Sequence, residues 1–253
     1  MPPNISDRLD MDMAVLFIDL DGTIIDIQSR PELAKATPFL LATLGRLHQA
    51  LGGAMAIVTG RRIEDLDRVL APLVLPASGI HGAQIRRAPA APIDESGAID
   101  VPLTLADAVR AVVAGHPGAF VEDKGRALAV HWRASVERAE SIGAELIAAL
   151  EASDTPDFVI LRGHCVFEIK SANANKGEAV RAFMQFAPFA GRTPIFVGDD
   201  VTDISGFRAV KDFGGLAYSV GHRLEGADAV FEDPSAVRAW LADLVDRQAA
   251  PHP

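Results

Sequence analysis

Val15-Leu16-Phe17-Ile18-Asp19-Leu20-Asp21-Gly22-Thr23 is the stretch whose reading decides the fold. Four apolar residues, three of them β-branched or aromatic, run straight into two carboxylates. A short unbroken apolar run suits a strand covered on both faces, as in a parallel sheet. In open α/β sheets the ligand crevice lies beyond the carboxyl ends of the strands. Asp19, Asp21 and Thr23 are therefore expected in that crevice, with Gly22 letting the backbone turn there. A carboxylate at a strand end can attack phosphorus and form a covalent intermediate. A second carboxylate two residues on can give a proton to the leaving oxygen and later take one from water.

Outward from this stretch, the same strand-and-helix alternation continues. Thr37-Pro38 reads as a helix cap followed by proline, Leu40, Leu44, Leu47 and Leu51 recur at helical spacing, and Gly52-Gly53 ends the helix. Ala54 to Val58 is a second apolar strand, closed by Thr59-Gly60-Arg61, and a helix with Ile63, Leu66, Val69 and Leu70 on one face follows. From about Gly79-Ile80-His81-Gly82 the character changes to an α+β module. It contains a helix over 104–114, a strand over 119–123, an alternating partner at Leu128 and Val130, a helix over 134–151 and a hairpin over 158–170 that turns at Gly163-His164. The first pattern returns after Lys176, with strands at 194–197, 216–220 and 229–231 and a closing helix over 234–247. The simplest account is an α/β core, residues 1–80 and 174–253, into which residues 81–173 are inserted.

Composition limits the classes of function. Hydrophobic residues at 49% and charged residues at 23% describe an ordinary globular chain. A net charge of -10 argues against a nucleic-acid partner, which needs a basic footprint. The single cysteine, Cys165, excludes an internal disulfide framework. No apolar run approaches the roughly 20 residues of a membrane-spanning helix, and the acidic amino-terminal stretch does not read as a secretory signal. The cytoplasm is the expected compartment; a monomer is plausible, though the sequence leaves the oligomeric state open.

Three further stretches carry chemistry. The hydroxyl of Thr59, at the end of its strand, can donate to a phosphate oxygen. Lys176, at the start of a helix, can offset the charge of a phosphate beside a carboxylate nucleophile. Gly198-Asp199-Asp200-Val201-Thr202-Asp203 crowds acids at a strand end, a cost that a hard cation such as Mg2+ removes. Asp19 and Asp199 could supply side-chain oxygens and Asp21 its carbonyl; Asp203 also reads as a helix cap, and Asp200 as a residue that orients its neighbours.

In this order, Asp-x-Asp-Gly-Thr, a strand-end Thr, Lys and Gly-Asp-Asp-x-x-Asp resemble the haloacid dehalogenase-like phosphatase superfamily. The resemblance implies a Rossmann-like parallel-sheet core with an inserted α+β cap. It further implies Asp19 as nucleophile, Asp21 as general acid and base, Thr59 and Lys176 as phosphate contacts, and Mg2+ bound by Asp19, Asp21 and Asp199. Gly79-Ile80-His81-Gly82-Ala83, Val121-Glu122-Asp123-Lys124-Gly125, His131-Trp132-Arg133, Glu168 and Asn175-Lys176-Gly177 resemble trehalose-6-phosphate phosphatases. In that family the inserted module closes over the core. Glu122, Lys124 and Glu168 match positions that bind sugar hydroxyls, Arg61 and His81 fall in motifs lining the site, and Thr23 is a further expected substrate contact. Ile204, Ile80 and Gln84 stand where the family favours Glu, which bears on sugar specificity. The implied activity is hydrolysis of trehalose 6-phosphate; hydrolysis of another sugar phosphate (sucrose or mannosylglycerate type), a phosphomutase and a non-catalytic sensor stay open as alternatives.

Overall fold

The computed structural model describes residues 10–28, 30–95, 99–163 and 165–249. The Gly163-His164 turn falls partly outside them, at His164. Two compact units divide the chain, Met1–Glu95 with Asn175–Pro253 and Ser96–Ala174. Each has its own apolar core.

In the first unit the elements run β1 (Ala14–Ile18), α1 (Pro38–Ala50), β2 (Met55–Val58), α2 (Ile63–Leu70), β3 (Ala77–Gly79) and β4 (Gln84–Arg86). The second unit supplies α3 (Leu103–Ala114), β5 (Phe120–Asp123), β6 (Ala127–His131), α4 (Ala139–Ala152), β7 (Phe158–Gly163) and β8 (Val166–Ser171). The chain then returns to the first unit with α5 (Lys176–Phe183), β9 (Thr193–Gly198), α6 (Ile204–Asp212), β10 (Leu216–Val220), β11 (Ala229–Phe231) and α7 (Pro234–Ala249).

The first unit is a seven-stranded sheet of order β11-β10-β9-β1-β2-β3-β4. All its pairings are parallel except β3 with β4. All five residues of β1 are buried, so the apolar run has both faces covered, as its composition requires. From β1 the chain builds outward through β2 on one side and later through β9 on the other. The strand order thus reverses between β1 and β9, and the crevice belongs at their carboxyl ends. The Asp19 amide donates to the Val197 carbonyl (2.9 Å), which locks the two strand ends together.

The first unit extends to Glu95, beyond the expected boundary at residue 80, because β4 adds an antiparallel edge to the core sheet. Arg86 of this strand is buried, yet its guanidinium is satisfied by the Asp67 carboxylate (2.7 and 2.6 Å) and the Leu75 carbonyl (3.1 and 2.9 Å). The second unit is a four-stranded sheet of order β5-β6-β8-β7, antiparallel throughout. Leu128, Val130, Phe167 and Ile169 on one of its faces join a cluster with Leu105, Val109, Ile142 and Leu146 of α3 and α4. The helix expected over 134–151 begins only at Ala139, since Ser135 leaves helical backbone (φ -146°, ψ 47°) inside a 3-10 segment, Arg133–Arg138.

Candidate active site

The ends of β1 and β9 bring three carboxylates and one ammonium together. Oxygens of Asp19, Asp199 and Asp203 lie within 4.8 Å of one another. Lys176, the first residue of α5, is placed by Asn175, whose side chain caps the helix by accepting from the Glu178 amide (3.0 Å). Its ammonium is buried and donates to Asp19 Oδ1 (2.7 Å) and Asp203 Oδ1 (2.6 Å). Burial alone would lower its pKa, but the Asp19 and Asp203 charges outweigh it and hold the lysine above its ordinary value. It is a fixed cation.

One ammonium does not balance three carboxylates. Burial first, then the charges of Asp19 and Asp203, push Asp199 up to about 8, against the opposing pull of Lys176 and the Thr23 hydroxyl. Burial likewise pushes Asp203 up to about 7. Crowded carboxyls that resist ionisation suit a divalent cation, and their donors are all hard oxygens. Asp203 has both oxygens committed: Oδ1 to Lys176, Oδ2 to the amides of Asp199 (3.1 Å) and Asp200 (3.0 Å). Asp199 reaches toward Gly22, where a Cβ would stand 2.1 Å from its Oδ2. Only glycine fits this approach, and its φ of +80° is a second reason.

Asp203 is the site residue that the sequence reading left outside its metal and catalytic set. It does not cap α6 with its side chain; it is the third-position partner in a capping box headed by Asp200, and the same side chain fixes Lys176. Thr23, expected as a substrate contact, is fully buried and donates its hydroxyl hydrogen to Asp199 Oδ1 (2.9 Å). Its partner is the acid cluster.

Arg61 forks both nitrogens onto Asp21: Nε to Oδ2 (2.6 Å) and Nη2 to Oδ1 (2.7 Å), with Nη1 on the Pro31 carbonyl (2.9 Å). Thr59 is buried and its hydroxyl accepts from the Arg61 amide (3.1 Å), which leaves its own hydrogen to donate. His81 packs its imidazole over Gly60. It gets there through a strained turn in which Ile80 (φ 47°) and His81 (φ 54°) both adopt left-handed backbone. Their amides hold the turn against the Arg61 carbonyl (2.8 Å) and the Thr59 carbonyl (3.0 Å).

The Gln84 carbonyl oxygen accepts from the Ile63 amide (2.8 Å), capping an α2 that has no side-chain cap of its own, and its amide donates to Glu95 (2.6 Å). Ile204 opens α6 directly after Asp203.

The second unit holds the other expected residues on the sheet face opposite α3 and α4. By register, Glu122, Ala129 and Glu168 lie in one row across β5, β6 and β8. The hairpin turn after β5 carries Lys124, whose ammonium donates to Glu168 Oε1 (2.7 Å). Glu122 Oε2 lies 2.8 Å from His131 Nε2. The hydrogen bond from His131 holds Glu122 below its ordinary carboxylate value, against burial and with help from the Lys124 charge.

A family described as trehalose-phosphatase matches residues 17–233. The chain belongs to this family. A probable trehalose-phosphate phosphatase of Sinorhizobium fredii is 40% identical over 243 residues, covering 93% of this chain and 89% of the relative. The trehalose-6-phosphate phosphatase of Escherichia coli is 37% identical over 229 residues, covering 89% and 84%. Among solved structures, the C-terminal domain of a Candida albicans trehalose-6-phosphate phosphatase superposes with a TM-score of 0.84 at 20% identity, covering 93% of each chain. The trehalose-phosphatase chain is accordingly a phosphoric monoester hydrolase with the haloacid dehalogenase-like fold. Among the described residues, no helix is long and apolar enough to cross a membrane.

Proposed function

We propose that this trehalose-phosphatase hydrolyses trehalose 6-phosphate to trehalose and phosphate through an aspartyl phosphate on Asp19. The observation that carries the reading is the hold of Lys176 on Asp19. The ammonium grips Oδ1, so the carboxylate is fixed beside a cation, with the Thr23 hydroxyl 3.4 Å from Oδ2. Asp19 attacks phosphorus, and the bond from phosphorus to the sugar oxygen breaks as Asp21 gives that oxygen its proton. Asp21 then takes a proton from water, whose oxygen displaces Asp19 and releases phosphate. Lys176 and the Thr59 hydroxyl steady the charge on the phosphoryl oxygens.

Asp19, Asp199 and the Asp21 carbonyl would hold the cation, read as Mg2+. Bound there, it supplies the positive charge that three clustered carboxylates and a phosphate require. In this reading the unit Ser96–Ala174 is the cap, and Glu122, Lys124 and Glu168 recognise sugar hydroxyls. Buried polar groups left without partners penalise a wrong sugar. Arg61 and His81 complete the substrate-facing set. Gln84 caps α2 by accepting from the Ile63 amide, a role within the fold.

The test is phosphate release from a panel of sugar phosphates with and without Mg2+, beside Asp19→Asn. Selective release from trehalose 6-phosphate, lost in the variant and on chelation, is expected. Preference for another sugar phosphate would overturn the substrate, and activity surviving Asp19→Asn would overturn the nucleophile.

A further inference from the structure

On the open face of the four-stranded sheet the two carboxylates flanking Ala129 are held differently. Glu168 is paired with a lysine; the Lys124 and Glu168 side chains are 10% and 11% exposed. Glu122 is paired with a histidine; the His131 and Glu122 side chains are 19% and 36% exposed. His131 is the last residue of β6, two positions beyond Ala129, so its side chain projects from the same face. Its cross-strand partner is Phe120, and the two rings stack with centroids 4.7 Å apart and planes 18° from parallel. Phe120 is 56% exposed, so this stack forms the outer edge of the face and backs the imidazole from the side.

We infer that His131 is a positioning residue for sugar recognition: backed by Phe120, it aims the Glu122 carboxylate at a substrate hydroxyl. The inference rests on the proposed role of Glu122 in binding the sugar. A glutamate on an edge strand has three side-chain torsions to restrain, and ordering them in advance is what lowers the cost of binding. The imidazole takes Oε2 and leaves Oε1 to accept from the ligand. Glu168, across Ala129, repels the Glu122 carboxylate and would turn it aside without this hold. The direction of the Glu122 shift, downward with the His131 hydrogen bond as its leading cause, agrees with the geometry.

His131→Phe keeps a ring for Phe120 and removes the donor; His131→Gln restores a neutral donor near the Nε2 position. With trehalose 6-phosphate, the phenylalanine variant is expected to raise KM about tenfold with kcat held within about twofold. Turnover of p-nitrophenyl phosphate, which has no sugar hydroxyls, should not change, and the glutamine variant should recover most of the loss. Independently, 13C NMR titration of the Glu122 carboxyl should show its midpoint rising in His131→Phe. An unchanged KM, an equal loss on both esters, or an unmoved Glu122 midpoint would each overturn the inference. If the phenylalanine variant does not fold, His131→Asn, whose amide is too short to reach Glu122, is judged by the same criteria. A wild-type enzyme that releases no phosphate from trehalose 6-phosphate would refute the proposed substrate instead, and the titration would still decide whether His131 holds Glu122.

Discussion

Lys176 shows at the scale of one residue how the site is held. Its ammonium is buried between Asp19 and Asp203, and removing one partner of a buried ionic set costs roughly 3–5 kcal/mol, because the charges left behind are uncompensated. Lys176→Met is therefore expected to lower the urea midpoint clearly and to cut turnover of any phosphate ester by about a hundredfold or more, read by denaturation and by phosphate release. Gly22→Ala makes a sharper geometric test. The new methyl would stand 2.1 Å from Asp199 Oδ2 on a backbone with φ of +80°, so either the carboxylate or the turn must move. Loss of activity is expected with only a small loss of stability, about 1–2 kcal/mol for a left-handed alanine beside a displaced carboxylate; a crystal structure of the variant would show which group yields. Asp19, Lys176 and Asp199 were legible because each follows an apolar strand or opens a helix. Asp203 was legible only as a cap, since spacing cannot tell that its two carboxylate oxygens have separate partners. The Arg61 fork on Asp21 joins residues forty positions apart, and it depends on the β1–β2 register that no local pattern encodes.

At the scale of elements, the strands that read clearly are those whose composition alone demands burial. β1, β2 and β9 are apolar runs, and their helices carry leucines at the right period. β3 and β4 are three residues each, Ala-Ser-Gly and Gln-Ile-Arg, and carry no such signal. Gln84 and Arg86 are buried because distant partners satisfy them, so the edge of the core sheet was invisible before folding and the boundary was placed too early. A local cause explains 133–138, where Ser135 is buried and its hydroxyl turns to the Trp132 carbonyl, competing with the helix. Gln84 offers the test at this scale. Gln84→Leu removes the side-chain acceptor of the Ile63 amide and should destabilise the first unit by about 1–3 kcal/mol, the cost of an unsatisfied buried donor. Turnover of p-nitrophenyl phosphate at saturation should stay within about twofold of wild type. A parallel fall in activity would show that Gln84 also serves the site; an unchanged denaturation midpoint would show that α2 needs no cap.

Over the whole molecule, a chain of net charge -10 must bring a phosphate ester to a cluster of three carboxylates balanced by one lysine. Such a cluster is an electrostatic burden on the fold that its function requires. Burial and mutual repulsion already push Asp199 up to about 8, so its ionised form is disfavoured where it stands. A ligand that binds only the folded state stabilises it by mass action, by about 2.7 kcal/mol at a concentration one hundred times its dissociation constant. Mg2+ is therefore expected to raise the melting temperature in a saturable way, and chelation to reverse the rise. Asp199→Asn separates burden from function. It removes an ionisable carboxyl from the cluster while keeping a side chain of the same size that can still accept from Thr23. The metal-free variant should melt above metal-free wild type, and its response to Mg2+ should vanish along with turnover. Calorimetry with and without Mg2+ reads both effects in one protein. A variant less stable than wild type without metal would mean that the cluster is balanced by its own lysine and hydrogen bonds, and that the cation is not needed to relieve it. A Mg2+ response surviving the substitution would place the cation away from Asp199.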